Sequence, residues 1–137
     1  MQSLNPYLIF DGNCGEAMTF YAKCLNAELE LSLYSSMPFD VPDAEKNRIL
    51  HARLSTGSML LMASDNRPGM PLTIGNNVSV NIGCESVAEI ELLYAAFLEG
   101  GKADMPLDDT FWGARFGMLT DKFGIHWMFN FEYPKHP

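Results

Sequence analysis

His51 and Arg53 stand two residues apart in HARLSTG, a segment whose alternation reads as a strand. Side chains at i and i+2 of a strand share a face, so an imidazole and a fixed positive charge would lie side by side. Such a pair can act as a general base or hold an anionic group, which makes His51 the best single candidate for a catalytic residue. The bland alternative is a hydrogen-bonded structural histidine. A second set lies near the C-terminus, where alternation places His126, Met128, Asn130 and Glu132 on one strand face. Trp112 and Arg115, in FWGARFG, can bracket a planar or anionic ligand by stacking and charge. Otherwise Trp112 plugs a sheet end. Asn77 and Ser79 add polar groups on a further strand.

The periodicities supply elements to hold these residues. Leu4–Asp11 is a short apolar run, read as a strand. Asn13 stands three residues before Glu16, a capping-box pattern, and Ala17, Phe20, Tyr21, Cys24 and Leu25 form one helical stripe. Residues 28–34 alternate, with Leu29, Leu31 and Leu33 on one side. Ile49–Thr56 and Met59–Ser64 read as strands joined at Gly57-Ser58. Residues 66–75 are rich in Pro, Gly and Asn and read as a linker. The order then recurs: a strand at Asn77–Gly83, a capping box at Ser86 and Glu89, and an apolar stripe of Ile90, Leu93, Tyr94, Phe97 and Leu98. Gly100-Gly101 stops that helix, and strands follow at Lys102–Leu107, Ala114–Asp121 and Ile125–Glu132. Each half is βαβββ, which predicts an α+β fold over one domain, 1–137, with modules at about 1–65 and 76–137. The sheet faces turned from the helices then carry His51, Arg53 and Ser55, Asn77, Ser79 and Asn81, and the set from His126 to Glu132.

Composition narrows the partners. The 137 residues hold 17 acidic against 9 basic side chains, a formal net charge of -8, so nucleic acid and an anionic membrane surface are not expected. No apolar run approaches the ~20 residues that span a bilayer. The start MQSLNPYLIF shows no signal-peptide pattern, and three cysteines without a CxxC pair suit a reducing compartment. A cytoplasmic protein is the expectation.

The pieces PYLIFDGNCGEAMTFY, HARLSTGSMLLMASD and DTFWGARFGMLTDKFGIHWMFN, in this order and spacing, resemble the PhnB-like branch of the vicinal oxygen chelate superfamily, which includes glyoxalase I, bleomycin-resistance proteins and extradiol dioxygenases. The resemblance covers nearly the whole chain. It implies that the two βαβββ modules form a curved, U-shaped mixed sheet with helices outside and a concave pocket. It further implies a small organic ligand and a homodimer, because the superfamily often pairs its pockets across two chains.

Metal-using members take His or Glu from the first and last strands of each module. Carried over, those positions fall at Pro6, near Asn77, around Leu61 or Met62, and at Met128. None is a usual ligand of a hard or borderline divalent ion. The resemblance therefore points to a binding protein without the usual metal and without a cofactor. The rival is an enzyme of the same superfamily, a glyoxalase-like lyase or a dioxygenase, with His51 as base. His51, His126 and Glu132 could form a relocated two-His-one-carboxylate set, but six residues of extended strand between His126 and Glu132 span about 20 Å. Methyl transfer, a label some PhnB-like proteins carry, finds no glycine-rich nucleotide loop after a strand. Met59, Met62, Met105, Met118 and Met128 fall in predicted strands and either pack the core or line a soft apolar pocket. Cys14 precedes a helix but lacks a base partner, and Asp121 with Gly124 is read as building a turn.

Overall fold

The computed structural model describes residues 1–135. The chain forms two compact units, Met1–Thr73 and a second from Ile74 onward. In the first, β1 (Tyr7–Phe10) leads into α1 (Cys14–Leu25), followed by β2 (Glu28–Leu33), β3 (Ile49–Thr56) and β4 (Met59–Asp65). In the second, β5 (Val80–Gly83) precedes α2 (Val87–Leu98), β6 (Lys102–Asp109), β7 (Ala114–Thr120) and β8 (His126–Glu132). The sheet orders are β1-β4-β3-β2 and β5-β8-β7-β6, each with its first strand parallel to its last and the other pairs antiparallel. This is an α+β architecture of two repeated βαβββ modules.

The two strands that open the modules are shorter than the sequence suggests. β1 begins only after Pro6, which has no N–H to donate to a ladder. β5 begins at Val80, so Asn77 and Ser79 lie in the irregular segment ahead of it.

The helices start by different means. Ser86 Oγ accepts the Glu89 N–H at 3.0 Å, and the Glu89 carboxylate returns to the Glu85 N–H at 2.9 Å. At α1 the expected Asn13–Glu16 box is not formed: Asn13 makes no side-chain capping bond. Its place is taken from the end of β4, where buried Asp65 accepts the N–H groups of Gly12 at 2.8 Å, Cys14 at 3.0 Å and Ile49 at 2.8 Å. A carboxylate there answers both the free N–H groups and the positive end of the helix dipole.

Each helix lays an apolar stripe on its own sheet. Cys14, Ala17, Met18 and Tyr21 of α1 are buried, with Ala52, Leu54, Leu61 and Ala63 of β3 and β4 also in the core. The stripe sits one step round from the expected one, with Phe20, Cys24 and Leu25 half-buried at its margin. Leu31 and Leu33 stay 44% and 39% exposed, because β2 is the outer strand of its sheet. In the second unit the Phe97 ring lies 4.7 Å from Trp127 and 5.4 Å from Phe129, and Tyr94 donates its hydroxyl to the carbonyls of Met105 and Met118. The turn expected at Asp121 is built: its carboxylate accepts the N–H groups of Phe123 and Ile125 and the Trp127 indole N–H.

Candidate functional site

On β3, Ala52 and Leu54 face α1, so His51, Arg53 and Ser55 occupy the other face. Strand register completes that face. Arg53 pairs with Met62 of β4 and Glu30 of β2, and Met62 pairs with Tyr7 of β1, so one row crosses all four strands. His51 lies in the adjoining row, opposite Ser32. The Tyr7 hydroxyl meets His51 Nδ1 at 3.2 Å and the two rings are 5.8 Å apart, an arrangement that leaves Nε2 for another partner. Among the described residues no ion pair or hydrogen bond engages the Arg53 guanidinium, which is exposed.

The corresponding face of the second unit is set by β8. Trp127 and Phe129 are buried towards α2, so His126, Met128, Asn130 and Glu132 alternate away from it. They pair in turn with Thr120, Met118, Phe116 and Ala114 of β7, and Met128 also neighbours Asn81 of β5. Thr120 Oγ1 donates to Asp104 Oδ2 at 2.6 Å and lies 3.0 Å from His126 Nδ1. Because the threonine proton is committed to the carboxylate, its oxygen accepts from the imidazole Nδ1–H, and Nε2 carries the free lone pair.

Trp112 and Arg115 part company. Trp112 is 62% exposed, its ring 5.0 Å from that of the still more exposed Phe111, and it lines an open groove of about 560 Å³ with Glu132, Tyr133 and Lys135. Arg115 pairs in register with Phe131, on the α2 side, where its guanidinium meets Asp109 at 3.1 Å and Glu91 of α2 at 3.2 Å. Tyr133 donates its hydroxyl to the same Asp109 at 2.6 Å. That hydroxyl, and then the guanidinium, hold the Asp109 carboxyl below its ordinary range. A second open groove, of about 700 Å³, lies in the loop between β2 and β3, lined by Met37, Phe39, Asp43 and Lys46.

The inherited metal positions do not suit a divalent ion. Pro6 and Leu61 offer no side-chain donor, Met62 and Met128 offer soft thioethers, and Asn77 stands in irregular chain. Among the described residues no three His, Cys, Asp or Glu side chains gather closely enough to hold a metal ion. Two of the thiols, Cys14 and Cys84, are poor nucleophiles. Burial and then the Asp65 charge push Cys14 up to about 12, and burial and then Glu89 push Cys84 up to about 11. Sequence reasoning did not single out Tyr7, Asp104 or Thr120. Alternation on β1 and β7 carried the signal for Tyr7 and Thr120, whereas Asp104 joins its face through a bulge between Ala103 and Met105.

A sequence model described as 3-demethylubiquinone-9 3-methyltransferase matches residues 2–129. Protein YjdN of Escherichia coli (strain K12) is 32% identical over 93% of this chain and 93% of its own length. The chain belongs to the PhnB-like family that this model describes, and it has the fold of the glyoxalase/bleomycin resistance protein/dioxygenase family. Among solved structures, this PhnB-like chain superposes on protein PA1353 from Pseudomonas aeruginosa with a TM-score of 0.88, at 45% identity over 96% of this chain and 98% of that one. It also superposes on the PhnB protein of Bacillus cereus with a TM-score of 0.77, at 26% identity over 95% and 99%. No helix among the described residues is long and apolar enough to cross a membrane.

Proposed function

We propose that this PhnB-like protein binds a small organic anion on the sheet faces turned from its helices, and does so without the divalent metal of its superfamily. The observation that carries the reading is Arg53: an exposed guanidinium with no partner among the described residues, in one row with Tyr7 and Met62 and next to His51 on its own strand. A guanidinium left unpaired on a face with aromatic and thioether neighbours suits a ligand with one carboxylate-like group and an apolar body. By the same reasoning the second unit offers, on its own sheet face, His126, Met128, Asn130 and Glu132, with Asn77 and Ser79 ahead of β5, as ligand contacts of that unit. One glyoxalase-like domain per chain, working as a homodimer in a reducing cytoplasm, fits the module repeat and three cysteines held in no disulfide.

One observation weighs against methyl transfer, the activity named in the family's description: no G-x-G-x-x-G loop of the kind that cradles a nucleotide-like cofactor joins β1 to α1 or β5 to α2. A rival remains for the first unit. With Nδ1 held by Tyr7, His51 Nε2 is oriented as a general base, which would make the protein an enzyme of the same superfamily.

The test combines elemental analysis of purified protein with thermal-shift titration, first with divalent metals and then with a panel of aromatic and aliphatic carboxylates. The expected result is no stoichiometric divalent metal, and stabilisation by a carboxylate that Arg53→Gln weakens at least tenfold. One divalent ion per chain with stabilisation on re-addition, or carboxylate binding indifferent to Arg53→Gln, would overturn the proposal. Turnover of a bound carboxylate, lost in His51→Gln while binding persists, would install the enzymatic rival.

A further inference from the structure

The divalent positions fail partly because they hold methionine, and the second unit sets methionines in a row. Met128 of β8 pairs with Met118 of β7, and Met118 pairs with Met105 of β6. Directly opposed residues bring their Cβ atoms within about 5 Å. The bulge between Ala103 and Met105 sets two β6 residues, Asp104 and Met105, against the single Met118. Asp104 reaches Thr120 Oγ1 on the face away from α2, so the row and the hydrogen-bonded chain share that face. His126 stands two residues before Met128, about 7 Å along the strand, with Nδ1 tied and Nε2 unpartnered among the described residues.

We infer that this face binds one soft monovalent d10 cation, copper(I) in a cell, through the sulfurs of Met105, Met118 and Met128 and the Nε2 of His126. Thioethers select such ions and reject hard divalent ones, so the site is compatible with the absence of a zinc or iron set. The Asp104–Thr120–His126 chain resembles the outer hydrogen bonds that fix the tautomer and aim of a ligating imidazole. It also places one carboxylate near a singly charged ion. This inference goes beyond the anion-binding proposal and does not depend on it.

Silver(I), the redox-inert counterpart, is the probe. Protein with 13C-methyl methionine, carrying Cys24→Ser and Cys84→Ser to remove the accessible thiols, is titrated while its methionine methyl resonances are followed. Of nine methionines, only Met105, Met118 and Met128 should shift, saturating at one silver per chain. Met118→Leu, close to volume-conserving, should weaken binding at least 100-fold, and Asp104→Asn about tenfold, in the range of outer-contact losses at metal sites. Should Met118→Leu not fold, single Met105→Leu and Met128→Leu variants assign the resonances and take its place. No methyl shift, shifts at other methionines, or silver binding indifferent to these substitutions would overturn the inference.

Discussion

Replacing Asp65 tests how the first unit closes. Its Oδ1 accepts the Gly12 and Cys14 N–H groups and its Oδ2 accepts that of Ile49, so one carboxylate joins the end of β4, the start of α1 and the start of β3. Asp65→Ala strands two buried N–H groups and one partly buried. A buried donor left without a partner costs about 1–3 kcal/mol, and water can reach the Gly12 position, so the expected loss is about 3–5 kcal/mol. Asp65→Asn can keep both bonds at the Oδ1 position while turning an NH2 group towards the Ile49 N–H. Its loss should be about 1–3 kcal/mol. The assay is equilibrium urea unfolding followed by far-UV circular dichroism, with an unchanged m-value as the sign that only stability has moved. A loss under about 1 kcal/mol for Asp65→Ala, or equal losses for the two variants, would refute the reasoning.

Other outcomes follow from the same contacts. Ser86→Ala should cost about 1 kcal/mol in urea unfolding, whereas Asn13→Ala should cost far less, since only Ser86 caps its helix. A Cβ at Gly101 would stand 2.4 Å from the Thr120 carbonyl oxygen, so Gly101→Ala should lose about 2–3 kcal/mol, while Gly75→Ala, whose nearest new contact is 3.6 Å, should be tolerated. Unfolded thiols ionise near 9.0, but folding keeps the protons on Cys84 to about 11 and on Cys14 to about 12. The stability these thiols confer is therefore complete below pH 9 and is lost as pH rises from there; a Cys84→Ala variant should show a shallower fall in its urea midpoint between pH 9 and 11. Tyr133→Phe should raise the titration midpoint of Asp109, read by carboxyl 13C NMR, because the Tyr133 hydroxyl is the leading cause of its depression; an unmoved midpoint would count against that contact.

What was legible in the sequence was local. The β3–β4 hairpin and the Ser86–Glu89 box involve residues close in the chain, and β3 occupies Ile49–Thr56 as its alternation indicates. The cap of α1 was hidden because Asp65 lies 51 residues from Cys14 and its role exists only once β4 lies beside β1. The sheet faces at His51 and His126 followed from alternation. Their hydroxyl partners required register: Tyr7 reaches His51 across 44 residues, and Asp104 faces Thr120 only through a bulge. The strand expected at Ala114–Asp121 contains Arg115, but its role depended on a distant partner: register with Phe131 sets the guanidinium on the α2 side, against Glu91.

The outer strands bear on how the protein behaves when concentrated. β2 and β6 each end a sheet and each leave a row of backbone groups without a strand neighbour in that sheet. β6 breaks its own row with Pro106 and with two register shifts, and it carries Asp104, Asp108 and Asp109. β2 carries Glu28 and Glu30 and a shift at Ser32/Leu33. An incoming strand would meet a missing N–H, an interrupted register and like charges on a chain already at -8. The kink that brings Asp104 to Thr120 is thus also a guard against edge-to-edge polymerisation, and straightening it would trade a hydrogen-bonded histidine for a template on which fibrils can grow.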